Sequence, residues 1–414
     1  MQISEERLRS DIEKNASFGA IEHEGHGRTA LAGTPPNGSA RDYFVERLED
    51  AGLDVKVDAV GNIVGRWVPK TADPNADAVA AGSHLDSVRE GGMFDGPLGV
   101  YAALESVRAF QDEGVAVERP VEVVCFTEEE GQRFGSLLGS SVASGQTSVE
   151  DALAHTDDEG VTLAEGLETI GYAGDGRVNA EEWDAYLELH IEQGRRLESA
   201  GVPIGIVTGI TGITQATVNI QGEANHAGTT SMTHRTDALA AASEFILDIE
   251  RAANHTVEAE SESAVGTVGR EIVSPNSTNV IPGEVTLGVD IRDIESDSIA
   301  NIVRDAKKSL ERLEDERGVS TSYVTDLDIN PVPMSDRCQD AMRQATEEMK
   351  LDAPKLPSGA GHDPMRIASV TDVGMLFARS KDGISHNPME WTSWSDCATA
   401  TRVLGESIAN LASN

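Results

Sequence analysis

The sequence predicts an α/β chain with a smaller βαββαβ unit inserted into it, and three observations carry that prediction. Apolar runs of strand length such as VEVVCFT (121–127) and YLELHIEQG (186–194) alternate with helical patterns and end in polar residues. After GIVTGITG (205–212) the order becomes strand, helix, two strands, helix, strand. With 414 residues, the chain exceeds what one compact core usually holds. The expected division is a first domain of residues 1–210 and 329–414, interrupted by an inserted domain of residues 211–328.

The first domain reads in order as follows. RDYFVERLEDA (41–51) has helical amphipathic spacing, and VKVDAVGNIVGRW (55–67) alternates like two strands with a turn at Gly61-Asn62. DAVAAGSHLDS (77–87) is a short apolar run with a polar exit. LGVYAALESVRAFQDEG (98–114) has helical period and stops at a glycine. The strand VEVVCFT is followed at once by EEEGQRFGS. In the insert, QATVNIQG, SAVGTVGREIVS, EVTLGVDIRD and VSTSYVTDLDI read as strands, and DALAAASEFILDIERAANH and SIANIVRDAKKSLERLEDERG as helices. PVPM, the helix SDRCQDAMRQATEEMK and PSGAGHDP return to the style of the first domain. Polar clusters at strand C-terminal ends place the expected site along that edge of the sheet.

Charge is the outlier: 71 acids against 33 Lys and Arg, a formal net charge of −38. The acids are spread along the whole chain, which excludes an acidic tail or a clustered cation store. Such self-repulsion is screened within about 3 Å at 1 M salt, so the composition reads as adaptation to a salty cytoplasm. Nucleic acid and anionic membranes are disfavoured partners by sign. Cys125, Cys338 and Cys397 lie far apart, without the spacing of a disulfide framework or thiolate zinc site. The charged, amphipathic start MQISEERLRSDIEKNASFGA does not read as a signal peptide, and no apolar run reaches about 18 residues. A cytoplasmic location is expected.

Five segments place His, Asp or Glu at a strand exit or in a Gly-rich loop. They are His84 with Asp86, Asp95, Glu128-Glu129-Glu130, His190 with Glu192, and His386. Mixed imidazole and carboxylate donors suit Zn²⁺, Mn²⁺, Co²⁺ or Ni²⁺ better than Ca²⁺. Three successive glutamates after an apolar strand would crowd like charge unless cations compensate it. Singly each feature has a plainer account: a hydrogen-bonded histidine, a solvated acidic run, an aspartate capping a turn. Their joint occurrence at one sheet edge points to a metal site.

The motifs GSHLDSVREGGMFDGPLGV, CFTEEEGQRFGS, LELHIEQGRRLE, GEANHAGTTSMTHRTDALAA, NSTNVIPGEVTLGVDIRD, PSGAGHD and GISHNPMEWT occur in this order. In this the chain resembles the hydantoinase/carbamoylase subfamily of M20 metallopeptidase-like amidohydrolases, over nearly its whole length. Ser231 and Arg379 depart from that pattern, where proline is usual or common, and neither is a ligand position. The resemblance implies an M20-type catalytic domain with a ferredoxin-like lid and dimerisation domain, two divalent metal ions per subunit and a homodimer. His84 and His190 would bind one ion, Glu130 and His386 the other, and Asp95 both. Asp86 would orient a ligand imidazole, and Glu129 would be the general base. His226 would stabilise the oxyanion. Gln193, Asn279, Arg292, Gly359 and Ala360 would contact substrate, with His226, Asn279 and Arg292 reaching the partner's site or closing over it. Without the resemblance, His226 reads as a turn histidine and Arg292 as a partner of Asp290 or Asp293.

The implied activity is hydrolysis of the ureido C–N bond of N-carbamoyl-L-amino acids to L-amino acid, CO2 and NH3. Allantoate or β-ureidopropionate hydrolysis, peptidase or deacylase chemistry on the same metal frame, and a non-catalytic metal-binding protein are the alternatives.

Overall fold

The computed structural model describes residues 1–413. It divides into two compact units: Met1–Thr208 with Met334–Leu356 and His362–Asn414, and Gly209–Pro333 with Pro357–Gly361. The short segment 357–361, which includes Gly359 and Ala360, thus groups with the smaller unit.

The strands of the chain are β1 (Asp54–Val57), β2 (Ile63–Trp67), β3 (Ala78–His84), β4 (Val121–Phe126), β5 (Trp183–Ile191), β6 (Ile204–Ile210), β7 (Gly212–Gln221), β8 (Asn225–His226), β9 (Val265–Ser274), β10 (Val280–Ile281), β11 (Glu284–Asp293), β12 (Ser320–Ile329), β13 (Val332–Pro333), β14 (Lys355–Ser358) and β15 (Asp372–Ala378). In the first unit they run β1-β2-β4-β3-β5-β15-β6. The centre, β4-β3-β5-β15, is parallel, and antiparallel pairs flank it. Every residue of β3 and β4 is buried. This explains their continuous apolar character, since a parallel sheet is covered on both faces. The helices Pro97–Glu113 and Trp394–Ala412 pack on the sheet through Leu98, Tyr101, Leu104, Val403, Leu404 and Ile408. The first helix ends at Gly114, φ 67°, where glycine takes the left-handed turn at no steric cost.

One helix begins earlier than its sequence pattern suggests. It spans Pro35–Asp50 rather than starting at residue 41. PPNGS has no apolar period, but proline is tolerated in a first helical turn because its missing N–H has no intrahelical partner there.

The smaller unit is a four-stranded antiparallel sheet, β12-β7-β11-β9, with helices Ala238–Ala259 and Ser296–Arg317 between its strands in the chain. β7 and β11 alternate buried and half-exposed residues. Val218, Ile220, Val285, Leu287, Val289 and Ile291 form the core with Phe245, Ile249, Ile302 and Leu313. Each such buried side chain contributes about 1.5–3 kcal/mol of transfer free energy. The opposite sheet face carries polar pairs, Gln215–Asp290 and Thr286–Asn219.

Candidate active site

Four neighbouring parallel strands deliver the first unit's polar groups to one edge. β3 ends on His84, β5 carries His190 one residue from its end, β4 runs into Glu128–Glu130, and His386 follows β15. This is the carboxyl edge, where open α/β sheets hold their ligands.

Two clusters form there, and they share one residue. His84, Asp95 and His190 bring ligand atoms within 4.8 Å of one another, as do Asp95, Glu130 and His386. Oδ1 of Asp95 lies 3.0 Å from Nε2 of His190 and 3.5 Å from Nε2 of His84. Its Oδ2 lies 3.4 Å from Nε2 of His386, which is 3.4 Å from Oε2 of Glu130. The tautomers suit metal binding. Nδ1 of His84 donates to the Asp86 carbonyl at 3.2 Å and Nδ1 of His190 to that of Ile191 at 3.0 Å. Each Nε2 is then left as a lone-pair donor. Neither Nε2 makes a well-formed hydrogen bond, nor does Oε1 of Glu130, although all three are buried. Orphaned buried polar atoms are costly, so this donor set fits divalent cations.

The titratable groups perturb one another strongly. Burial alone would raise Asp95, but His190, His386 and His84 outweigh it and hold the carboxyl well below the usual range. Burial lowers His84, yet Glu129, Asp95, Asp86 and Glu130 together lift it well above its ordinary value. Burial, with Asp95 adding, pushes Glu130 up to about 7. Contact with Asp95 lifts His386 to about 9 against the effect of its partial burial. The His386 side chain stays 52% exposed, so the site opens to solvent on that side.

The glutamate run splits. Glu128 turns away and accepts main-chain N–H groups of Arg133 at 2.5 Å and Phe134 at 2.7 Å. Only Glu129 and Glu130 face the clusters, so the crowding expected of three like charges falls on two. Glu129 is buried, with Oε2 3.7 Å from Nε2 of His84 and Oε1 3.9 Å from Nδ1 of His362. Burial raises its carboxyl well above the ordinary value, and Glu130, Asp363 and Asp95 oppose His84. For Asp86, the main-chain carbonyl rather than the carboxylate meets the His84 ring. The carboxylate stays 3.8 Å from it and accepts the Glu130 main-chain N–H at 3.2 Å. Glu192 accepts from the N–H groups of Arg196 and Leu197, opening the helix Arg196–Ala200. Gln193 donates to Oδ2 of Asp95 at 3.0 Å, a contact with a ligand residue. Glu128, Gln193 and His386 hold φ of 55°, 55° and 52°, a left-handed backbone that costs on the order of 1–3 kcal/mol each and collects at functional sites.

Glycine is needed at one point in the loop. Gly96 has φ 81°, and a Cβ there would lie 2.5 Å from the His84 carbonyl oxygen and 2.6 Å from its ring. The loop closes on the imidazole too tightly for any side chain.

Sequence reasoning missed several groups. His362, in the GHD triplet, is buried with its ring 4.4 Å from that of His190. Burial, with His190 adding, drives its pKa well below the ordinary value, so it is neutral. Glu188, His190 and His362 also converge, but Glu188 is engaged by the hydroxyls of Ser83 at 2.9 Å and Tyr186 at 2.8 Å. Arg28 and Glu390 are the other two. His362 and Glu390 lie inside the motifs PSGAGHD and GISHNPMEWT, while no motif pointed to Arg28.

The remaining expected residues lie in the smaller unit. His226 is exposed, and its Nδ1 accepts from the N–H groups of Gly228 at 2.9 Å and Thr229 at 3.2 Å. This places its ring proton on Nε2. The side chain of Asn279 accepts from Ser277 at 2.8 Å, and its main-chain carbonyl accepts from Ala227. Arg292 forks onto Asp290 at 2.8 and 3.2 Å and donates to the Gly359 carbonyl at 3.3 Å. The Asp290 pairing that the sequence suggests without any resemblance is therefore present. The Ser358 hydroxyl bonds both the carbonyl and the N–H of Ala360.

A model of peptidase family M20/M25/M40 matches residues 77–410. The chain belongs to this M20 family. It is 40% identical over 413 residues to an N-carbamoyl-L-amino-acid amidohydrolase of Pseudomonas sp. (strain NS671), covering 98% of each chain. It is likewise 40% identical over 391 residues to an N-carbamoyl-L-amino acid amidohydrolase of Geobacillus stearothermophilus, covering 93% of this chain and 94% of the relative. The M20 fold seen here superimposes with a TM-score of 0.93 on an amidase of the hydantoinase/carbamoylase family from Burkholderia multivorans. That structure is 34% identical, with 100% of this chain and 99% of that chain covered. Ser231 and Arg379 keep ordinary roles within this M20 chain: Ser231 contacts His234, and Arg379 pairs with Asp396 at 2.7 Å. Among the described residues no helix is long and apolar enough to cross a membrane.

Proposed function

We propose that the protein hydrolyses the ureido C–N bond of N-carbamoyl-L-amino acids, giving the L-amino acid, CO2 and NH3. The observation that carries this is Asp95, whose two oxygens serve two histidine-containing clusters while the buried Glu129 stands beside them. His84, Asp95 and His190 would hold one divalent ion, and Asp95, Glu130 and His386 a second, as zinc or as manganese, cobalt or nickel. Bound ions supply a water acidic enough to attack near neutral pH and polarise the carbonyl. Glu129 takes the proton of the attacking water and returns it to the departing nitrogen. Its place beside His84 and His362, outside both ligand clusters, leaves its carboxylate free for both transfers. Asp86 supports the site through the His84 ring and the Glu130 main chain.

In the smaller unit, His226 carries its proton on Nε2 and is the donor for the developing oxyanion. Arg292 uses three of its five N–H donors on Asp290 and Gly359, and the two left over bind the substrate carboxylate. Asn279, Gln193, Gly359 and Ala360 complete the contacts. The protein acts as a homodimer in a salt-rich cytoplasm. This reading rests on the motifs, and on the acid excess for the salt.

The test is a panel of N-carbamoyl-L-amino acids, allantoate, β-ureidopropionate and dipeptides, assayed for ammonia or free amine at high salt with Mn²⁺, Co²⁺, Ni²⁺ or Zn²⁺. Release of ammonia from the N-carbamoyl compounds at the highest kcat/KM supports the reading. Preference for dipeptides, or no turnover with any metal, overturns it. Light scattering on the eluting protein tests the dimer, which a monomer mass would exclude.

A further inference from the structure

The loop between His84 and Asp95 is gripped from two sides by opposite charges. Arg28, fully buried, donates to the carbonyls of Leu85 at 3.2 Å, Asp86 at 3.3 Å and Gly92 at 3.3 Å. Glu390, 1% exposed, takes the main-chain N–H groups of Phe94 at 3.0 Å and Asp95 at 3.1 Å on its Oε1. A Cβ on Gly92 would lie 2.1 Å from that same oxygen, so the loop is shaped to admit the carboxylate.

The other oxygen of Glu390 reaches the Asp95 side chain through Ser385. The Ser385 hydroxyl lies 3.1 Å from Oε2 of Glu390 and 3.2 Å from Oδ2 of Asp95. One hydroxyl has one proton, so Ser385 serves one carboxylate at a time. Gln193 donates to both Ser385 and Oδ2 of Asp95, each at 3.0 Å. The terminal torsion of an aspartate is intrinsically broad, yet a carboxylate serving two clusters must keep its plane fixed. The main chain of Asp95 is held by Glu390, and its Oδ2 by Ser385 and Gln193. A second buried carboxylate beside Asp95 is expensive for an empty fold, and a glutamine would accept the same two N–H groups without the charge. The acid at position 390 therefore serves the cation site.

We propose that Glu390, through Ser385 and the Phe94–Asp95 main chain, is a positioning residue for the shared carboxylate of Asp95, and that its loss weakens divalent-ion binding. The proposal rests on Asp95 serving two ions. Outer-shell partners of this kind are worth about 10–100-fold in metal affinity.

The experiment strips the full-length protein of metal and titrates it with Mn²⁺ by calorimetry, counting bound metal by mass spectrometry. It uses the native chain, Glu390→Ala, Glu390→Gln, Ser385→Ala and, as reference, Asp95→Asn. The native chain should take up two Mn²⁺. Glu390→Ala should bind about 10–100-fold more weakly. Glu390→Gln should recover only part of that loss, because its amide oxygen still accepts both N–H groups while the negative charge is gone. Ser385→Ala should weaken binding while leaving the metal-free unfolding midpoint unchanged. Native affinity in Glu390→Ala and Ser385→Ala, with Asp95→Asn impaired, overturns the clamp and leaves the two-ion reading standing. A lowered metal-free midpoint with unchanged affinity also overturns it. No Mn²⁺ uptake by the native chain, or native uptake by Asp95→Asn, overturns the two-ion reading and the clamp with it. Should Glu390→Ala fail to fold, Ser385→Ala decides: native affinity there overturns the proposal.

Discussion

Oδ1 of Asp95 lies 3.0 Å from Nε2 of His190, while its Oδ2 faces His386 at 3.4 Å. A single carboxylate therefore couples the two clusters, and its removal should not empty only one. Asp95→Ala is expected to lower divalent-metal content at both and to reduce kcat/KM by more than about 100-fold, beyond the usual range for an outer-shell partner. Metal analysis after gel filtration checks it. One ion retained at full occupancy would contradict the shared role.

Glu129 approaches His84 at 3.7 Å but belongs to neither ligand cluster. Glu129→Gln should keep the native metal content and lose about 10²–10⁴-fold in kcat, the range for a general acid–base group. Parallel metal analysis and steady-state kinetics separate the outcomes. Full turnover in the variant would remove Glu129 from proton transfer.

Gly96 packs against the His84 ring and holds φ 81°. Gly96→Ala should destabilise the protein by about 2 kcal/mol and lower its metal affinity, because the imidazole must move. Urea unfolding with and without metal measures both effects. An unaltered midpoint and affinity would show that the loop relaxes freely.

The stability of the metal-free protein should fall as pH rises from about 5 to 8. Burial raises Glu130, Glu128 and Glu390 to about 7, so the folded state binds protons more tightly than the unfolded chain across that window. His386, lifted to about 9, and the raised His84 and His190 lose stabilisation in the same direction as they deprotonate. His362, lowered by burial and His190, opposes them. Asp95 contributes only below its ordinary range. Metal reduces the part of the slope that comes from Glu130, His84, His190 and His386, because it binds their deprotonated forms. Thermal melts in chelator at successive pH values would refute this if stability rose toward pH 8.

Arg292→Ala should raise KM for carboxylate-bearing substrates by about 10-fold or more while sparing metal content, given 1.5–3 kcal/mol for a charged hydrogen bond. Unchanged KM would mean that its pairing with Asp290 is its whole role. For the formal net charge of −38, raising KCl from 0.1 to 2 M should lift the unfolding midpoint on the order of 5 °C, since the salt screens self-repulsion. A midpoint that falls or stays level would speak against salt adaptation.

Much of the site was legible because strand-end chemistry is local. His84 and His190 each terminate or nearly terminate an apolar run, and Glu129 and Glu130 follow another. The direction of a side chain was not legible. Glu128 stands in the same run yet points into the 133–134 loop, because two N–H groups there need an acceptor. Glu192 looked like a site acid beside His190 and instead meets the N–H groups of Arg196 and Leu197.

By itself, the amino-acid order determined the α/β class, the βαββαβ order of the smaller unit and the His, Asp and Glu residues that stand at the strand exits, because hydrophobic period and strand-exit polarity are properties of neighbouring residues. That Asp95 serves both clusters was implied by the resemblance alone, and the tertiary structure shows which oxygen faces which histidine. It alone also showed that Arg28, Ser385 and Glu390 hold that aspartate and its loop. Those contacts join residues up to 296 positions apart. Hydrogen bonds of a few ångströms depend on how the chain closes in space, which local composition does not encode.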